Sequence, residues 1–296
     1  MRKYLFECTR LSVERDSKME NEEQKKDAYR EGTVIQNIHP SPGLGLTYRD
    51  DQHDFYELLD ILRSTRKKRG LRFRLVDSGV YDLFQMEDLL LAGADLYTSD
   101  LERTSSQELA VLLKAARNSG SIVAFFVHGE LILEERENSL NLASLSLLGR
   151  DGLIIHVSNR EKERSVTDLT SVAVQCRQGW GRLIYYHHGA LPQELDGLVS
   201  EGAWLHVTQR SLQSEQDSSL FRDLLFRSQA AGANGILHIE KDLSLEFLRD
   251  AIDARAVVLF KTQLKDFKSL LRPLEDKARK TQLDFRSFYL SPESML

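Results

Sequence analysis

The sequence predicts an α/β fold, a (β/α)8 barrel of TIM type with an irregular N-terminal extension, on three observations. From residue 71 onward, short β-branched or aromatic runs alternate with segments of helical spacing. Strict alternation of this kind implies a parallel sheet covered by helices. Eight such units fall in about 210 residues, which suits a closed eight-stranded barrel. A doubly wound open sheet is the competing architecture. It would carry a glycine-rich phosphate loop after its first strand, and the turn SGVYD after Asp77 provides none.

The first 70 residues are assigned to the extension. YLFEC (4–8) and TVIQNIH (33–39) have strand composition, and the almost wholly polar 13–32 between them reads as a solvated helix or linker. SPGLGL (41–46) reads as a turn, because it lacks the lysine and following helix of a P-loop. DFYELLDILRSTRKKRG (54–70) is an amphipathic helix with a cationic end, favourable against the helix dipole, and Arg72 and Arg74 are expected to face the extension. TVIQNIH is the alternative first barrel strand, which would make the run at 256–261 surplus.

The barrel is assigned to 71–280 and a C-terminal tail to 281–296. Its strand runs are 71–77, 94–100, 121–128, 152–158, 182–188, 203–208, 235–240 and 256–261. Helices are expected near 80–91, 104–118, 137–148, 166–178, 192–200, 217–231, 244–253 and 264–280. Ser105-x-x-Glu108 has the pattern of a capping box. Pro192 suits a first helical turn, and Gly93, Gly120, Gly202 and Gly232 stand where a left-handed stop is needed.

Composition limits the function classes. A net charge of −5 and a pI near 6.0 argue against a dedicated nucleic-acid binder. Cys8 and Cys176 are the only cysteines, so no disulfide framework is expected, and two reduced thiols fit a cytoplasmic protein. No apolar run approaches the ~18–20 residues needed to span a bilayer, so no membrane partner is expected. A homo-oligomer is compatible with this composition.

Six of the eight histidines stand at the ends of five consecutive strand runs. In IIHVSNR, WLHVTQR and ILHIEKD the residues flanking each histidine are apolar, as a helix-covered face requires. The opposite set must then face inward: His156 with Ser158, His206 with Thr208 and Arg210, and His238 with Glu240. The same alternation turns His128 and Glu130 inward, together with one of His187 and His188. Asp77 is placed inward with Phe73 and Leu75, and Lys261 at the mouth of the last run. These positions lie at the C-terminal strand ends, where barrels of this class carry their active sites.

Three chemistries follow. His128, His156, His187, His206 and His238 could hold a divalent zinc-type ion with a carboxylate and an open position for water. Without a metal, histidine and carboxylate can exchange protons with a small polar or anionic substrate, in hydrolase or lyase chemistry. Glu240, Glu130, His206, Asp77 and Lys261 are the catalytic candidates, Lys261 also as a Schiff-base amine. Arg160, Arg210 and Lys241 recur just after the strand histidines and could hold an anionic group. The turns after the last two strands, EKDLSL and KTQLKD, contain no glycine, which disfavours phosphorylated substrates. A non-catalytic barrel binding a ligand or a protein is the alternative, with 13–32 and the basic cluster 63–74 as contact surfaces.

Overall fold

The computed structural model describes residues 44–66, 71–131, 140–212, 214–239, 251, 253–254, 256–260 and 285–286. Ten strands follow one another: β1 (Leu44–Arg49), β2 (Leu71–Val76), β3 (Ala94–Ser99), β4 (Val123–Val127), β5 (Ile154–Ser158), β6 (Arg182–His187), β7 (Trp204–Thr208), β8 (Gly235–Ile239), β9 (Val257–Phe260) and β10 (Phe285–Arg286). Every strand pairs in parallel with the next one along the chain. A doubly wound sheet would reverse its order at a switch point, and this ladder never reverses. The architecture is α/β, a (β/α)8 TIM-type barrel.

Between the strands lie α1 (Phe55–Arg66), α2 (Leu83–Leu91), α3 (Ser106–Ser119), α4 (Leu142–Asp151), α5 (Val166–Gln178), α6 (Leu195–Ser200) and α7 (Glu215–Ala230). Each packs against the next, as right-handed crossovers onto one face require. Their starts are set by local chemistry. Asp82, Asn141 and Ser214 form reciprocal capping boxes. Ser105 accepts from the Glu108 amide, the first half of the pairing its sequence predicts. Gly120 closes α3 with φ 74°, a left-handed stop costly for any side chain.

Alternation along the strands divides the core in two. Phe73, Leu75, Leu96, Phe125, Ile155, Leu183, Leu205 and Leu237 meet Leu112, Leu148, Val172 and Leu224 of the helices in one continuous cluster. Truncating a leucine at such a position costs about 2–5 kcal/mol, through lost transfer energy and the cavity left behind. The other residues of each strand form the inner face. Val76, Tyr97, Ala124 and Phe126 make one inner cluster, and Ile154, Ile184, Tyr186, Trp204, Ile236 and Val257 another. Burial on both faces distinguishes this sheet from a half-solvated one.

Three expectations are corrected here. The stretch read as a turn at 41–46 leads into β1, because Leu44–Arg49 extends the ladder beside β2 in register from Leu44↔Leu71 to Arg49↔Val76. The tail contributes β10, paired with β9. Arg72 and Arg74 lie on the inner face, opposite Phe73 and Leu75. Arg72 forms an ion pair with buried Asp95 (Nε to Oδ2 2.8 Å), and Arg74 is fully buried beside Tyr97. The run TVIQNIH lies outside the described residues. Among the described residues no helix is long and apolar enough to cross a membrane.

Candidate functional site at the C-terminal rim

The inner face carries a row of rings running from β4 to β8. Phe126 stacks on His156 with centroids 4.2 Å apart, and His156 lies nearly parallel to Tyr186 at 5.9 Å. Tyr186 meets His206 at 4.3 Å, and His206 meets His238 at 4.9 Å. Hydrogen bonds fix the polar members: His156 Nδ1 lies 2.9 Å from Tyr186 Oη, and His206 Nδ1 lies 2.7 Å from His238 Nε2. All three histidines are buried. The sequence places them inward because Ile155, Val157, Leu205, Val207, Leu237 and Ile239 occupy the helix side, and these do sit in the helix-side cluster.

Burial sets the electrostatics of this row. Desolvation pushes His156 down to about 3, and His238 down to about 3 with a small contribution from His188. Both rings are therefore neutral at physiological pH. The expectation that the inward histidines titrate near neutrality does not apply to these two.

Where the row reaches β4 and β5, a solvent-open pocket lies under the β5–α5 loop. Phe126, His128, His156, Ser158 and Tyr186 form its wall, and Arg160, Glu161, Lys162 and Arg164 its lip. His128 continues the inner parity of Phe126, and its Nε2 is buried with no hydrogen-bond partner. Arg160 and Lys162 are exposed. Arg164 is buried, and its guanidinium donates to the carbonyls of Ser158 (3.1 Å), Gly129 (2.6 Å), Val127 (3.3 Å) and His128 (3.3 Å). Desolvation lowers its pKa, while Asp100, Tyr185 and Glu130 act in the opposite sense. No carboxylate lies within ion-pair distance of Arg164 among the described residues.

Carboxylates and an amide side chain clasp the rim together. Asp50, after β1, accepts from the Ser78 hydroxyl and from the amides of Ser78 (2.9 Å) and Val80 (3.2 Å). Asp100, after β3, accepts from the amides of His128 (3.0 Å) and Gly129 (2.6 Å). Asn159, after β5, accepts from the His188 amide at 2.7 Å and donates to the His188 carbonyl at 3.0 Å. Each ties the end of one strand to the end of another in the ladder. The backbone donors so used are unavailable to a ligand.

The other candidates fall as follows. Asp77 is not on the inner face, a correction that Phe73 and Leu75 in the helix-side cluster make plain. Its carboxylate is held by Arg103 (Nε to Oδ2 2.8 Å), by Thr98 Oγ1 (2.8 Å) and by the Gly79 amide (3.0 Å). His187 follows Leu183 and Tyr185 on the helix side of β6, and its Nε2 bonds the Ala190 carbonyl at 2.8 Å. Burial lowers its pKa. Glu130 is exposed just after β4, and Arg210 lies in the short turn Gln209–Ser211 after β7. Neither lines the pocket. Glu240, Lys241 and Lys261 lie outside the described residues. Among the described residues, no group of three histidines, cysteines or carboxylates could hold a metal ion. Cys176 is a buried free thiol, and desolvation pushes it up to about 12.

Sequence reasoning missed Phe126, Tyr186, Lys162 and Arg164. The aromatics read as ordinary core. The loop SNREKERS after β5 does hold three cations in eight residues, a signal that was available.

No protein-family model and no curated protein matches the chain. Among solved structures it is similar to a truncated form of 3-deoxy-D-arabino-heptulosonate 7-phosphate synthase from Thermotoga maritima, at 11% identity and a TM-score of 0.32, over 82% of this chain and 89% of that one. A likeness this low transfers neither substrate nor chemistry.

Proposed function

We propose that this barrel is an enzyme acting on a small anionic substrate in the rim pocket between β4, β5 and the β5–α5 loop. The reaction class is hydrolase or lyase chemistry by proton transfer. One observation carries the reading: His128, whose Nε2 is buried and unpartnered, lines a pocket whose lip holds Arg160, Lys162 and Arg164. An imidazole with an unpartnered ring nitrogen beside a pocket can give or take a proton. The cations supply attraction for an anion and stabilise charge that develops during reaction. His156 and Tyr186 shape the wall as neutral hydrogen-bonding groups.

A second reading, a barrel that binds a ligand without transforming it, draws on a different observation. His156 and His238 are both neutral, and each is hydrogen-bonded within the ring row.

The test is turnover of a panel of small organic acids, followed by mass spectrometry, with the parent chain and His128→Ala. The enzyme reading expects protein-dependent loss of at least one acid and a fall of about 10²-fold or more in the variant, the usual share of general acid–base catalysis. Binding without turnover in the parent favours the second reading.

A further inference from the structure

We infer that the anionic group recognised by this pocket is a carboxylate and not a phosphate, an inference that rests on reading the rim pocket as the ligand site. Phosphate sites are built chiefly from clustered backbone amides, in glycine-rich turns or nests, because several donors must converge on one tetrahedral group. The amides best placed to do so here belong to His128 and Gly129, successive residues at the end of β4. Both are already bonded to the Asp100 carboxylate, at 3.0 and 2.6 Å. A second anion brought to those amides would have to displace Asp100 and would meet its charge. The loop above, from Asn159 to Ser165, contains no glycine. The Arg160 amide is taken by Ser158 Oγ at 3.1 Å.

The side-chain donors at the pocket are the exposed Arg160 and Lys162 heads, beside the His128 ring. A guanidinium fork offers two parallel N–H groups that match a carboxylate as well as two oxygens of a phosphate. Arg164 adds a buried positive charge whose bonds among the described residues all go to carbonyl oxygens, which lowers the cost of bringing in one negative charge. The Glu161 carboxylate on the lip works against a dianion more than against a monoanion. A monocarboxylate in this pocket meets the Arg160 and Lys162 cations with the least repulsion from Glu161.

The experiment titrates the full chain separately with acetate, pyruvate, benzoate and inorganic phosphate. Binding is read by the ring resonances of His128, assigned by their loss in His128→Asn, and by melting temperature. At least one monocarboxylate is expected to shift His128 and to bind more tightly than phosphate. Arg160→Gln, an exposed substitution that leaves the core untouched, should weaken that carboxylate about tenfold, the worth of one charge-assisted pair. Phosphate binding at His128 as tightly as the carboxylates overturns the inference and leaves the pocket as a ligand site. If no monocarboxylate moves His128 while another organic anion is turned over, the inference fails and the enzyme reading stands. Silence of His128 together with absence of turnover removes both.

Discussion

His206 Nδ1 lies 2.7 Å from His238 Nε2, with both rings buried on the inner face of neighbouring strands. One nitrogen of the pair must carry the proton and the other accept it, so the contact holds when one shared proton lies between the rings. Protonating both facing nitrogens would set two donors against each other in a dry site. The contact is therefore a structural lock that excludes acid.

Acid should unlock it, and the sign is determined by the shifts. His238 and His156 lie at about 3 in the folded chain against 6.5 in the unfolded one. Between these values the unfolded chain binds more protons, so their contribution to stability is complete above pH ~6.5 and declines as pH falls toward ~3. Each group accounts for about 1.4 kcal/mol per pH unit across that window. The melting temperature should fall steeply from pH 6.5 to 4.5, and His238→Gln should flatten the slope even while lowering stability at pH 7. An unchanged slope in the variant would remove His238 from the account.

The inward placement of the three strand histidines was legible because each is flanked by two apolar residues that only a helix-covered face accommodates. The same rule misplaced Asp77. On β2, Phe73 and Leu75 form one apolar set while Arg72 and Arg74 look like a solvated one, so polarity suggested that the arginines lie outside the barrel. They belong to the inner face, where Asp95 and Tyr97 on β3 partner them. Those partners sit about 20 residues away, and no local pattern announces them. Arg164 was illegible for another reason: its partners are carbonyls, which every residue type provides. β1 was lost among glycine and proline, since its pairing with β2 is a tertiary fact.

Asp77→Ala should cost about 3–5 kcal/mol in urea denaturation, as expected when one member of a buried ion pair is removed. Asp77 and Arg103 are both buried, and Arg103 also donates to the Tyr81 carbonyl at 2.6 Å. Pairing Asp77→Leu with Arg103→Met should recover part of that loss, because no lone charge is left behind. A loss below about 1 kcal/mol in the single variant would show that solvent reaches the arginine.

Asp100→Ala releases the amides of His128 and Gly129 at the edge of the pocket. Two freed successive amides form the beginning of an anion nest. The variant should lose about 1–3 kcal/mol of stability and bind inorganic phosphate more tightly than the parent does. Calorimetric titration of both proteins with phosphate checks this. Equal phosphate affinity in the two would mean that Asp100 does not block those donors.

Arg164→Lys keeps the charge and discards the fork. The guanidinium spans carbonyls at the ends of both β4 and β5, fastening the β5–α5 loop over the pocket. A lysine ammonium is one compact donor group and cannot reach all four oxygens at once. Carbonyls left without partners in a buried setting cost about 1–3 kcal/mol in total, since part of the loss is repaired by entering water. The loop should lose more than the sheet, because Arg164 supplies four of its bonds while the strands keep their ladder. Limited proteolysis should therefore cut the variant within residues 159–165 under conditions where the parent stays whole. Carboxylate binding should weaken alongside, as the lip carrying Arg160 and Lys162 moves away from His128. If the loop stays as resistant as in the parent, the anchoring of the loop by Arg164 is redundant.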